Sequence, residues 1–209
     1  MIILDCEQYS EEHIDARLGI PTASQYSRII TATGKPSASA QEYMYELARE
    51  AITRQPTQKY QSFDMEEGHR KEPLARNYFE YIHDIDVRQV GLIYKDEQKR
   101  FAASPDGLLD GSGLEIFCPK FATHMVNVND PKNAVKRAGK IQQIQGSLLI
   151  SGFDYWWFCS YWPPEDKPAV DQVVFKVHRD EEFISKLEAE LDRFTIELAS
   201  VVKKLRELS

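Results

Sequence analysis

Cysteine is scarce in this chain, and its few positions have no pattern. Cys6, Cys118 and Cys159 make neither a paired disulfide framework nor a metal-ligand spacing. No stretch approaches the about 20 consecutive apolar residues that span a bilayer. The opening MIILDCEQYSEEH also lacks the basic region and apolar run of a secretory leader, so a cytoplasmic protein with free thiols is expected. An excess of positive charge is missing as well. The formal net charge of −7 argues against a protein that coats nucleic acid indiscriminately, because such proteins use a basic face to release counterions from phosphates. There is no internal repeat, no low-complexity tract and no long linker.

What remains is compatible with one large domain. Of 209 residues, 42% are hydrophobic, with three tryptophans, ten tyrosines and ten phenylalanines, which suffices for a substantial core. Helical spacing marks residues 22–32, 38–53, 64–83, 132–150 and 180–208, with Pro73 expected to kink the third or to begin a new segment. The last carries Phe183, Leu187, Leu191, Phe194 and Leu198 at intervals of three or four residues, and 132–150 carries Ala134, Ile141, Ile144 and Leu148. Short runs rich in β-branched and aromatic residues mark strands at 87–95, 100–104, 114–118, 155–162 and 170–178. Loops are expected at 33–39 and 53–62, where Pro, Gly, Ser and Thr cluster. The natural packing is a single α/β domain over residues 1–209, with a mixed central β-sheet flanked by helices.

The chemistry concentrates in AASPDGLLDGSGLEIFCPK, residues 102–120. Asp106 stands in a turn after one strand, and Glu115 lies on the next strand after a Gly-rich return. Two such carboxylates brought to one side, with a backbone carbonyl, waters and a substrate phosphate, are enough to hold Mg²⁺. Side chains alternate along a strand, so residue 117 shares the face of Glu115 while Ile116 points away. An acid-turn-acid pattern is also ordinary loop chemistry. Three features add weight: Glu72 in EEGHRKEPLARNYF lies off the apolar side of its helix, Gln143 and Gln145 stand in KIQQIQGSLLISG, and an aromatic strand YWWFCSYWPP follows. The basic clusters at His69-Arg70-Lys71 and from Lys132 to Lys140 either line a DNA path or are solvated helix faces.

RLGIPTASQYSRII, EEGHRKEPLAR, AASPDGLLDGSGLEIFCPK, QQIQGSLLISGFDYWWFCSYWPP and the closing acidic helix, in this order, resemble the phage lambda exonuclease family, the YqaJ-like viral recombinases of the PD-(D/E)xK nuclease superfamily. The resemblance covers residues 9–205 and implies a restriction-endonuclease-like core. It also implies a catalytic group of Glu72, Asp106, Glu115, position 117 and Gln143, the last lying near the attacking water. Asp106, Glu115 and the carbonyl of Ile116 would ligate Mg²⁺ or Mn²⁺. Arg17, Ser24 and Ser104 would receive the 5′-phosphate of a DNA end, for which an arginine fork and hydroxyls are suited. By the same resemblance the substrate is linear double-stranded DNA, digested 5′ to 3′ to leave a 3′ overhang. The assembly would be a toroidal homotrimer, and the partner a phage single-strand annealing protein in the bacterial host cytoplasm.

Phe117 departs from that pattern. The family has a lysine there, which orients water and stabilises charge developing at phosphorus; an aromatic ring does neither, and such a loss costs about 10²- to 10⁴-fold in rate. Lys120 is a poor stand-in on a strand, since an odd offset reverses the face and Pro119 intervenes. The sequence therefore predicts an exonuclease fold with impaired catalysis. Two other readings stay open: a non-catalytic DNA-end-binding recombination scaffold, and a metal-dependent phosphoryl-transfer enzyme acting on small substrates.

Overall fold

The aromatic and β-branched runs near the C-terminal end build the centre of the fold. In the computed structural model, which describes residues 1–57, 63–163 and 170–208, β6 (Tyr155–Tyr161) pairs antiparallel with β7 (Gln172–His178) and parallel with β5 (Ser112–Phe117). β5 also forms a hairpin with β4 (Gly107–Leu109), so the order β4-β5-β6-β7 is a mixed sheet. β1 (Ile2–Leu4), β2 (Leu92–Tyr94) and β3 (Ala102–Ala103) form a separate antiparallel sheet. A bridge between Arg88 and Leu108 links the approach to β2 with β4. The expected central sheet is thus divided, because the turn at Ser104-Pro105-Asp106 redirects the chain between β3 and β4.

Helices cover the sheets by burying the stripes that the sequence spacing marks. α7 (Glu181–Glu207) starts at Asp180, whose side chain accepts a hydrogen bond from the Phe183 amide at 3.0 Å. Its Phe183, Leu187, Leu191, Phe194 and Leu198 are buried in the main core. α2 (Ala40–Thr53) packs on it, with the Tyr43 and Phe194 rings 5.8 Å apart. α3 (Phe63–His83) runs unbroken through Pro73, where a kink or a restart is expected. The lost amide donor is tolerated because Ala75 and Phe79 anchor the following turns in a second core with Leu114 and Ile116 of β5.

Several expectations fail locally. Residues 22–32 form a 3-10 helix only over Ala23–Arg28, after which Ile30 bridges Pro36 in an extended conformation. The single helix expected at 132–150 is three pieces: a 3-10 turn Pro131–Asn133, α5 (Ala134–Arg137) and α6 (Ile141–Ser151). Gly139, at φ +67, makes the break. A Cβ there would meet nothing within 4 Å, so the glycine serves the left-handed backbone angle and not a lack of room. α1 (Glu11–Arg17), capped by Ser10, and α4 (Phe121–Asn129) are short helices that the spacing does not announce. Residues 54–57 are irregular, and the rest of the loop expected before α3 lies outside the described residues. Among the described residues no helix is long and apolar enough to cross a membrane.

Candidate active site

The turn that carries Asp106 is held from two sides. The Gln8 amide donates to the Pro105 carbonyl at 2.8 Å, and the buried guanidinium of Arg76 on α3 donates to the Asp106 backbone carbonyl at 2.8 Å. The Asp106 carboxylate then accepts the Ile116 amide at 2.6 Å, which ties it to β5. Strand alternation does the rest: Glu115, 1% exposed, and Phe117 face one way, while Ile116 joins the second core. Arg76 also donates to Glu72 at 2.7 Å, so one arginine fixes the helical glutamate and the aspartate turn together.

α6 supplies the opposing polar groups. The Gln143 amide nitrogen donates to both Glu115 oxygens at 2.8 and 2.9 Å. Lys140, immediately before α6, places Nζ 2.8 Å from Glu115 Oε1 and 2.9 Å from the Gln143 amide oxygen. The electrostatics reflect carboxylates crowded in a poorly hydrated place. Burial, and then the charges of Glu115 and Glu72, push the Asp106 carboxyl well above its usual range against the pull of Lys140 and the Ile116 amide. Glu72 is also raised, by burial first, with Arg76 and His69 opposing and Glu115 adding to the rise. Burial works against a charge on Lys140, but Glu115 and Asp106 outweigh it and hold the ammonium above the ordinary lysine value.

Such a cluster suits a hard divalent cation. Two carboxylates and the Ile116 carbonyl offer oxygen donors of the kind Mg²⁺ or Mn²⁺ prefer. Among the described residues no group of three His, Cys, Asp or Glu side chains encloses a metal position. Any cation there would need water and substrate oxygens as well. Cys118 borders the same space, but burial, and then Glu72 and Asp106, push its thiol up to about 12, so it stays protonated and is no nucleophile.

The structure gathers Arg17, Ser24, Glu72, Ser104, Asp106, Glu115, Ile116, Phe117 and Gln143 around one cleft of about 920 Å³. Arg17 donates to the Thr22 hydroxyl at 3.3 Å, and that hydroxyl lies 3.5 Å from Ser24 Oγ. Ser104 Oγ lies 3.1 Å from His13 Nε2, and His13 Nδ1 accepts the Tyr9 amide at 3.2 Å. Burial and the neighbouring Arg17 lower the His13 pKa to about 4, so the ring is neutral near pH 7. With Nδ1 accepting, Nε2 carries the proton and lies within hydrogen-bonding reach of the Ser104 hydroxyl.

Phe117 packs on the main core, its ring centroid 6.2 Å from that of Phe158 at 35°. Lys120 also borders the cleft: β5 ends at Phe117 and the chain turns into α4, so strand alternation does not extend to it. Gln145, by contrast, binds the His178 carbonyl and the Asp180 amide and is structural. Sequence reasoning missed His13 and Arg76, which act through other residues, and it took Lys140 only as part of a basic cluster. The available signal for Lys140 was Gly139, a helix breaker immediately before it and four residues before Gln143.

Comparisons with known proteins identify the fold and the family. The YqaJ-like viral recombinase domain matches residues 12–154. The alkaline exonuclease LHK-Exo from Laribacter hongkongensis superposes with a TM-score of 0.80 at 30% identity, covering 95% of this chain and 97% of its own. The same exonuclease in complex with dAMP gives a TM-score of 0.80 at 32% identity, with coverage of 95% and 97%. A phage-related exonuclease from Haemophilus somnus 129PT, at 14% identity and a TM-score of 0.67 over 91% of this chain and 96% of that one, shares the fold. No curated protein sequence matches the chain. With a domain match that runs from α1 past β5 and α6, and an alkaline exonuclease fold along nearly its whole length, the chain belongs to the YqaJ-like viral recombinase family, on a PD-(D/E)xK-like nuclease fold.

Proposed function

We propose that this chain is a metal-dependent 5′ to 3′ exonuclease on linear double-stranded DNA, leaving 3′ single-stranded overhangs for strand-annealing recombination. The observation that carries the reading is the convergence of Asp106, Glu115, Glu72 and Gln143 in a cleft also lined by Arg17, Ser24 and Ser104. Asp106, Glu115 and the Ile116 carbonyl are the groups that would hold Mg²⁺ or Mn²⁺, which when bound supplies Lewis-acid charge at the scissile phosphate. Gln143 orients Glu115, and Arg76 orients Glu72 and the Asp106 turn. The Arg17 fork and the Ser24 and Ser104 hydroxyls receive a terminal 5′-phosphate. Family membership supports a setting in phage or prophage recombination within the host cytoplasm, with a single-strand annealing protein as partner and a ring-shaped homotrimer as the working form.

Phe117 favours a second reading, in which the chain binds metal and DNA ends and cuts slowly or not at all. The two differ in whether another cation serves the site. The test is release of nucleotides from the 5′ end of a labelled, 5′-phosphorylated linear duplex with Mg²⁺ and with EDTA, for the chain itself, Phe117→Lys and Asp106→Ala. Metal-dependent release that Asp106→Ala abolishes supports the exonuclease. No release from either the chain or Phe117→Lys, with end binding intact, leaves the scaffold.

A further inference from the structure

A lysine on β5 is not the only way to bring an ammonium group to Glu115. The left-handed turn at Gly139 ends α5 and starts α6 so that Lys140 and Gln143, three residues apart, lie on one helix face. Both meet the same carboxylate: Lys140 Nζ is 2.8 Å from Glu115 Oε1, and Gln143 Nε2 is 2.9 Å from that same oxygen. Lys140 and Phe117 line the same cleft, and the Lys140 side chain is only 26% exposed, unlike an ordinary solvated surface lysine. Phe117, at the face where a β5 lysine would stand, is instead committed to packing against Phe158.

We propose that Lys140 supplies the cationic group that β5 lacks, delivering it to the carboxylate site from the start of α6. The proposal rests on the exonuclease reading of this site. In the hydrolysis, a water oxygen bonds to phosphorus and the bond from phosphorus to the 3′-oxygen of the terminal nucleotide breaks. The electron pair of that bond stays on the 3′-oxygen, which takes up a proton originating from the water. Negative charge builds on the non-bridging phosphate oxygens during this step. A lysine with a flexible four-carbon stem and three donors, already held among the carboxylates, is placed to stabilise that charge and to orient the water. Gln143 positions the ammonium by accepting from it at 2.9 Å.

A simpler role, neutralising crowded carboxylates, predicts different behaviour, and moving the lysine separates the two. Five proteins are compared on 5′-phosphorylated linear duplex with Mg²⁺: the chain itself, Phe117→Lys, Lys140→Met, Lys140→Arg, and the double variant Phe117→Lys with Lys140→Met. Thermal melts confirm folding. Manganese affinity without DNA, measured by calorimetry, gives a readout independent of turnover. Lys140→Met is expected to bind Mn²⁺ at least as tightly as the parent, since a competing cation is gone, yet to cut about 10²- to 10⁴-fold more slowly. Lys140→Arg keeps the charge and should retain part of the rate. The double variant should recover to within about tenfold of the parent, which no purely structural role of Lys140 explains.

Cutting by Lys140→Met at the parent rate overturns the proposal, and so does a folded double variant that stays inactive while Phe117→Lys alone is active. A parent that is inactive while Phe117→Lys cuts also overturns it, but leaves the exonuclease fold reading intact. Inactivity of both parent and Phe117→Lys, with metal bound, instead removes the exonuclease reading on which the proposal rests.

Discussion

The amide nitrogen of Gln143 sits 2.8 and 2.9 Å from the two carboxylate oxygens of Glu115, although 28 residues separate them, and its amide oxygen faces the Lys140 ammonium at 2.9 Å. The orientation of that amide is therefore set by its partners: nitrogen to carboxylate, oxygen to cation. Gln143 thus orients the Glu115 carboxylate, the role that partners behind metal ligands play where a cation is bound.

Replacing Gln143 by Met should consequently weaken Mn²⁺ binding about 10- to 100-fold, the usual effect of losing such a partner. Calorimetry on the DNA-free protein measures this. Unchanged affinity in a folded Gln143→Met protein would show that Glu115 needs no orienting amide.

Asp106 yields a prediction on stability and pH. Its folded pKa is raised, chiefly by burial and by Glu115 and Glu72, so folding disfavours the ionised form. The contribution of this group is therefore most favourable below its unfolded value of about 3.9 and is lost as pH rises towards the folded value. The cost to the metal-free protein grows as pH rises above that unfolded value. Asp106→Asn, which can still accept the Ile116 amide, should melt higher than the parent in EDTA, by about 2–4 °C for each kcal/mol relieved. The gap should widen from pH 4 to pH 8, and added Mg²⁺ should raise the melting temperature of the parent but not of the variant. A parent more stable than Asp106→Asn in EDTA at pH 8 contradicts the assignment.

Arg17 should govern preference for the DNA end. The chain is expected to bind 5′-phosphorylated duplex ends more tightly than 5′-hydroxyl ends, and Arg17→Ala should lose most of that preference, because the hydroxyls of Ser24 and Ser104 carry no charge. Affinity for the phosphorylated end should fall with salt. Competition between the two kinds of end, read by fluorescence anisotropy, tests this; equal affinities would remove the phosphate pocket.

Phe117 should contribute to stability even where it contributes nothing to chemistry. Its ring packs against Phe158 and the main core, so Phe117→Ala should cost on the order of 2 kcal/mol and lower the melting temperature by about 4–8 °C. Phe117→Lys should also melt lower, because its stem covers less apolar area and its charge stays in the wet cleft. Gain of activity in Phe117→Ala, which only removes bulk, would mean that the ring blocks the site and that no cation is missing.

Local periodicity alone determined much of this protein. The α7 stripe, the aromatic strand β6 and the shared face of Glu115 and Phe117 all follow from a repeat of about 3.6 or of two residues, which a chain carries whatever else it packs against. The Ser-Pro-Asp-Gly turn and the acids at 106 and 115 were legible for the same reason, as were the blocks that carry the family resemblance. The short helices α1 and α4 were not, since a stretch of two turns shows no clear period and depends on its caps and contacts. Only the tertiary structure decided that Arg76 joins Glu72 to the Asp106 turn, that His13 meets the Ser104 hydroxyl, and that the break at Gly139 brings Lys140 to Glu115. Apart from the Arg76–Glu72 pair within α3, these contacts join residues far apart in the chain. Their energies come from burial of charge among specific partners, which no pattern along a single segment records.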